Sequence, residues 1–373
     1  MAHAHKVQAG RVHIVDIPVT ETHSHGSGDV SSVKSVILEL TTDTGITGWG
    51  EASPWPVFTG TPEGNASALA DYFIPAILGR DPFDVEVLLA EAEKMVVHCS
   101  EAKAALETAL LDIMGRALDV PVHALLGGRH REKVPLSFSI ANPDFDEDLA
   151  KVERLFEDGV RIFKLKTGFS GHAFDLMRLK KLRDTYQDKI DLRIDYNQGM
   201  SAHEALPRLR DCESFRLSFI EQPVPRDNLE AMAHFTDVLT TPIMADESVF
   251  NPREALIGAR IRVADIFSLK IMKSGGLRSA LNVAAIAQAA GIGVYGGCMF
   301  ETGIAHTAGA HLMAALPELE LGCEFYMSSY YLTEDILTEP FPVKNGSVHI
   351  PTGPGLGVEV DRALLKKYSV ETG

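Results

Sequence analysis

Basic excess, cysteine pairs, glycine-rich phosphate loops and long apolar runs are all missing from this chain, and each absence removes a class of function. Lys and Arg number 35 against 51 Asp and Glu, a formal charge of −16. Nucleic acid and anionic membrane both attract clustered basic residues, so neither is an expected partner. Much of the acidity reads as solvated surface. The four cysteines (Cys99, Cys212, Cys298, Cys323) are widely spaced and form no CxxC pair. That argues against both a disulfide framework and a thiolate zinc site. No run approaches the length of a transmembrane helix, and the first residues lack the apolar core of an export signal. A cytoplasmic setting is the resulting expectation.

What remains is an ordinary globular composition over 373 residues, 45% hydrophobic and 23% charged, long enough for one large domain and a smaller one. Residues 33–40 (VKSVILEL) read as a strand, and "TDTGITGWGEAS" after it reads as tight turns at Gly45, Gly48 and Gly50. The small, polar stretch 21–32 suits a mobile loop. Helical periodicity runs from about Gly64 to Leu126 and stops at Gly127 and Gly128. The first part of the chain is therefore expected to be an α+β unit.

From Val134 the pattern changes to short apolar runs separated by amphipathic segments. The runs are VPLSFSI (134–140), IFKLK (162–166), LRIDYN (192–197), SFIEQP (218–223), IMADES (243–248), IFSLKI (266–271) and GVYGGCM (293–299). Helical stretches such as Ala173 to Thr185 and Leu277 to Ala290 lie between them. This many strand–helix units predict a parallel sheet closed into a barrel. An open doubly wound sheet competes with it, but no glycine-rich dinucleotide or phosphate loop follows the first strands.

Asp195, Glu221 and Asp246 each fall at the C-terminal end of a different predicted strand, the face where such barrels build active sites. A lone acid at such a junction is more simply a helix cap. Three in succession converge and repel, and a hard divalent cation such as Mg²⁺ offsets that repulsion. Lys164 and Lys166 share one face of their strand, by its two-residue alternation, and Lys270 occupies the equivalent place on a later strand. The lysines thus flank the acids from both sides, as needed to take a proton from one face of a carbon and return one on either face. Ion pairing with the acids is the plainer role for them. It does not by itself explain two interior positions spent on one strand. A second lysine and a metal nearby both disfavour an ammonium, which suits Lys166 to act as a base.

The motifs "FKLKTG", "RIDYNQ", "IEQP", "MADES", "LKIMKSGG", "YGGCMFE", "LGCEF" and "PTGPGLG" occur in the order seen in the enolase superfamily. The chain resembles its muconate lactonizing enzyme (muconate cycloisomerase) subgroup. "GITGWGEA" and "AKAALETALLDIMGRALDVPVHALLGG" extend the likeness almost end to end. The resemblance implies an α/β fold: a modified TIM barrel, (β/α)₇β, over 133–334, an α+β capping domain over 1–132, and a segment 335–373 returning to the cap. It implies Mg²⁺, with Mn²⁺ as the alternative, on Asp195, Glu221 and Asp246. Lys166 is then the acid/base on one face, Lys164 its electrostatic partner, and Lys270 the group on the other face. Asn197, Phe300, Glu301, Glu324, His25 and Trp55 are the implied substrate contacts, with His23, Asp29 and Phe58 on the two specificity loops. A homo-oligomer, octamer or dimer, goes with the family.

Within the subgroup the catalytic core does not choose among cycloisomerases, epimerases or racemases, and dehydratases acting on amino or hydroxy acids such as proline derivatives. Dipeptide epimerases usually carry an Asp-x-Asp where this chain has Cys323-Glu324-Phe325. That favours a cycloisomerase. "MFETG" in place of the family's "MLEG", and the polar, aromatic "YMSSYYL" after "LGCEF", depart from the cycloisomerase pattern. A non-catalytic relative would be expected to lack a lysine or a metal ligand, and none is missing.

Overall fold

The computed structural model describes residues 5–25 and 28–370, without the side chains of residues 22–29. An antiparallel sheet opens the chain, formed by β1 (Val7–His25), β2 (Gly28–Thr42) and β3 (Thr47–Ala52). The polar stretch expected to be a loop is largely the far end of the β1–β2 hairpin, with His23 paired to Val30 and His25 to Gly28. Register is constant where the strands are apolar and buried, from Gly10 opposite Leu40 to Pro18 opposite Ser32, and shifts before the polar end.

Behind this sheet lies the almost wholly buried helix Ser100–Leu118. A Cβ on Gly50 would stand 1.9 Å from the carbonyl oxygen of Ala105, and one on Gly48 2.4 Å from that of Ala109. Of the three glycines expected to turn the chain, Gly45 does so (φ +84), while Gly48 and Gly50 are strand residues that let β3 press onto the helix. Absence of a side chain serves close approach here rather than a turn.

The second unit is a parallel sheet in which each strand pairs with the next in sequence. It contains β4 (Ser137–Ile140), β5 (Ile162–Lys166), β6 (Asp191–Asp195), β7 (Ile220–Glu221), β8 (Ile243–Ala245), β9 (Ile266–Leu269) and β10 (Gly293–Gly296). Helices cover the outside, so each strand is buried on both faces and reads as a continuous apolar run. Cys323 closes the ring, bridging Gly296 on one side and Leu136 on the other. Ser137 N donates to Cys323 O (2.7 Å) and Glu324 N to Gly296 O (2.9 Å), so the eighth strand is reduced to its ladder contacts. The start of the first expected barrel run behaves differently: Lys133–Pro135 pairs antiparallel with Ser347–His349, outside the barrel.

The C-terminal part returns to the first sheet. Ser369 bridges Val15, Val370 N donates to Ile14 O (2.8 Å), and Arg362 binds Glu39 (2.7 Å) over the Trp49 ring. Among the described residues no helix is long and apolar enough to cross a membrane.

Candidate active site

The C-terminal ends of the barrel strands gather every charged residue singled out by their position in the sequence. Lys166, Asp195 and Glu221 end β5, β6 and β7, while Asp246 and Lys270 directly follow β8 and β9. Lys164 lies one layer deeper on β5, its ammonium 2.6 Å from both Glu221 Oε2 and Glu324 Oε2 and 3.6 Å from Asp195 Oδ2. Lys166 donates to Asp195 Oδ2 (2.6 Å) and Asn197 Oδ1 (3.1 Å). Across the barrel mouth Lys270 donates to Asp246 Oδ2 (2.6 Å), with the Phe58 ring 5.0 Å from its nitrogen.

Burial alone would strip the proton from Lys164, but Glu221 and Glu324 outweigh it and hold the ammonium well above the ordinary lysine range. The same balance, with Asp246 and then Glu221 as the offsetting charges, raises Lys270. Lys164 is wedged between acids, and their attraction exceeds the repulsion from its neighbour. It is a fixed cation. Burial also works against ionised Asp195, yet Lys166 and Lys164 draw it below the ordinary aspartate range. Lys270 and Lys273 do the same for Asp246.

Two neighbours of these charges escaped the reading by position. Lys273, inside "LKIMKSGG", donates to Asp246 Oδ1 (2.8 Å) and to its backbone oxygen (2.7 Å). One carboxylate thus lies between two ammonium groups. The signal was a second lysine one helical turn after Lys270, where the chain leaves the strand for the short helix Ile271–Ser274. Glu247, next to Asp246 in "MADES", is buried and pushed up to about 8 by desolvation and then by Asp246 and Asp195.

Above these charges is a cavity of about 450 Å³. Lys166, Asn197, Lys270, Glu324, Trp55, Phe58 and Phe300 line it, with Cys298, Met299, Tyr326 and Met327. Trp55 meets Phe300 edge-on at 5.3 Å, and Phe58 stacks on Phe250 at 5.2 Å. One expected contact stands apart from this wall. Glu301 turns behind it, where Met299 N donates to Oε1 (3.1 Å). There burial and the charge of Glu51 push Glu301 up to about 8. The chain has already left β10 at that point, so strand alternation no longer sets direction. The side chain of His25, like those of His23 and Asp29, lies outside the described residues. A larger groove of about 1390 Å³ opens at the opposite end of the barrel, beside Pro242, Asp265 and Gly293. No lysine lines it, whereas Lys166 and Lys270 both line the smaller cavity.

Asp195, Glu221 and Asp246 offer only hard oxygen donors. Glu221 Oε1 is buried without a hydrogen-bond partner, and desolvation followed by the charge of Asp195 drives this acid far above its ordinary range. An orphaned carboxylate oxygen between two further acids is a place a hard divalent cation satisfies, and the residues fit Mg²⁺. Among the described residues no three His, Cys, Asp or Glu side chains stand ready as a metal cage. Each of the three acids instead gives an oxygen to a lysine at 2.6 Å.

A barrel whose mouth carries three acids on successive strands with lysines on either side, roofed by an α+β unit that sends aromatic side chains down onto them, is the architecture of an enolase-superfamily enzyme. Residues 11–127 match the model of the mandelate racemase/muconate lactonizing enzyme N-terminal domain, and residues 147–364 that of the enolase C-terminal domain-like family. The chain belongs to the mandelate racemase/muconate lactonizing enzyme family. It is 34% identical over 371 residues to muconate cycloisomerase 1-2 of Acinetobacter lwoffii, covering 98% of this chain and 96% of that one. It is 33% identical to L-Ala-D/L-Glu epimerase of Bacillus subtilis, covering 94% and 96%. Among solved structures, muconate lactonizing enzyme of Pseudomonas fluorescens complexed with muconolactone superposes with a TM-score of 0.96 at 33% identity, covering 99% and 100%. A muconate cycloisomerase from Azorhizobium caulinodans gives 0.87 at 46% identity, covering 98% of each chain.

Proposed function

We propose that the protein is a metal-assisted cycloisomerase that closes a conjugated dicarboxylate, cis,cis-muconate or a close analogue, to a lactone. The observation that carries this reading is the pair of ammonium groups on facing walls of one cavity, Lys166 after β5 and Lys270 after β9. One substrate carboxylate adds through oxygen to the far double bond, and the displaced electron pair reaches the carbon beside the other carboxylate. Lys166 delivers a proton to that carbon. Its side chain reaches the cavity while Asp195 and Asn197 hold its nitrogen in place, so little reorganisation is needed at the moment of transfer. Lys164, sealed beneath, adds a fixed positive charge. Lys270 supplies the second cation at the opposite face, under Phe58. A divalent cation, Mg²⁺ or Mn²⁺, held by Asp195, Glu221 and Asp246 would stabilise the negative charge growing on the substrate carboxylate. Trp55, Phe58 and Phe300 exclude water and suit a flat, unsaturated body. A homo-oligomer, octamer or dimer, and a cytoplasmic setting belong to the same reading.

A second reading is an epimerase, racemase or dehydratase of an amino or hydroxy acid, and the equally similar Bacillus subtilis epimerase keeps it in play. It needs a carboxylate to meet an ammonium group. Against it, Glu324, the acid that lines the cavity near the closing strand, is taken by Lys164 at 2.6 Å. Proton NMR in D₂O with Mg²⁺ separates the two. Muconate converted to a singly deuterated lactone supports the cycloisomerase. Exchange, epimerisation or loss of water on a proline derivative or N-acylamino acid, with muconate untouched, replaces it by the second reading.

A further inference from the structure

Glu51 belongs to β3 of the capping sheet, yet its carboxylate reaches into the barrel. It is 1% exposed. Oε1 accepts from Thr302 N (2.8 Å) and Ser53 Oγ (2.6 Å), and Oε2 accepts from Thr302 Oγ1 (2.6 Å) and Ala305 N (2.9 Å). Thr302 is the N-cap of the barrel helix Gly303–Ala315. A cap-domain acid therefore satisfies donors that the start of a barrel helix leaves without intrahelical partners. Asp335, from the returning C-terminal segment, takes Gly303 N of the same turn (3.1 Å).

The two ends of the Glu51 network differ in what they carry. Thr302 follows Phe300 and Glu301, so fixing it fixes the wall of the cavity. Ser53 begins the stretch 53–60, so fixing it sets the base from which Trp55 and Phe58 project. Trp55 and Phe300 then meet edge-on at 5.3 Å. We propose that Glu51 is a specificity-positioning residue, setting the Trp55–Phe300 contact and with it the width of the substrate cavity. The cap and the barrel are thereby coupled at one buried carboxylate. The proposal rests on the cavity being the substrate site argued above. Glu51 touches none of the reacting lysines and acts through the two aromatic side chains.

The chain has two tryptophans, so Trp49→Phe leaves Trp55 as the fluorescent reporter. In that background Glu51→Gln replaces an accepting oxygen by a donor at nearly equal volume. Acrylamide quenching of Trp55 is expected to rise about twofold, and KM for cis,cis-muconate about tenfold, with kcat within about threefold. Asp335→Asn, which loosens the same helix end without touching Ser53, is the control for a merely structural effect. It should lower the melting temperature and leave quenching and KM unchanged. Unaltered quenching in Glu51→Gln, or an equal rise in Asp335→Asn, overturns the proposal. Should Glu51→Gln not fold, Thr302→Val removes only the hydroxyl donor and must still raise quenching. Quenching needs no substrate, so inactivity toward muconate would discard the substrate assignment while leaving this test intact.

Discussion

Lys164 and Lys166 converge on a single atom: Oδ2 of Asp195 lies 3.6 Å from the first ammonium nitrogen and 2.6 Å from the second. The two share an acceptor but not an environment. Lys164 is fully enclosed and held by two further carboxylates, whereas Lys166 opens onto the cavity. One is sealed among acids and the other is open to whatever the cavity holds.

Lys166→Ala should therefore lower kcat by about a thousandfold, the scale of a lost general acid, with little change in thermal stability. Steady-state assay and a melting curve on the same preparation check both halves. Activity within a few-fold of wild type would remove Lys166 from the chemistry.

Lys164→Ala is a different kind of change. It leaves Glu221 and Glu324 facing each other without their shared cation, in a fully buried place. Removing one partner of a buried ionic cluster typically costs about 3–5 kcal/mol, so urea unfolding should show a clearly lower midpoint. A midpoint equal to that of Lys166→Ala would mean that Lys164 does not hold the barrel floor.

Chelation should abolish turnover reversibly, and added Mg²⁺ should restore it, because Asp195, Glu221 and Asp246 repel one another around an unsatisfied oxygen. Calorimetric titration should show saturable binding of Mg²⁺ that Glu221→Gln weakens. Turnover indifferent to chelation would make the three acids structural.

Glu301 gives the stability a pH signature. Its folded-state value is about 8 against an ordinary 4.5, so the folded chain binds this proton more tightly than the unfolded chain. Its contribution is complete below 4.5 and is lost as pH rises through about 8. Glu51, His306, Glu324 and Lys270 are the charged or titratable groups around it. His306 is itself pushed down to about 3 by burial and stays neutral throughout that window. Melting temperatures taken from pH 6 to 9 should fall less steeply in Glu301→Gln than in the wild type. Parallel slopes would mean that Glu301 is ionised in the folded protein.

Much of the site was legible because a parallel barrel repeats one rule. Each apolar run ends at the same face, so an acid or lysine closing a run is delivered to that face whatever lies between. Asp195, Glu221, Asp246, Lys166 and Lys270 were found that way. The rule fails once the chain leaves the strand. Glu301 turned behind the wall, and Lys273 entered the site from a helical turn. Glu51 was hidden for another reason: its partners Thr302 and Ala305 lie about 250 positions further along the chain. No local pattern marks such a pairing.

By itself, then, the sequence determined which residue types reach the mouth of the barrel, since strand alternation and the ends of apolar runs are local properties. Only the tertiary structure decided which charges pair. Lys164 became a sealed cation and Lys166 an accessible one although they sit two positions apart on one strand. The reason is physical: charge state depends on burial and on separations of an ångström or less between groups from different strands, and those are settled when the barrel closes.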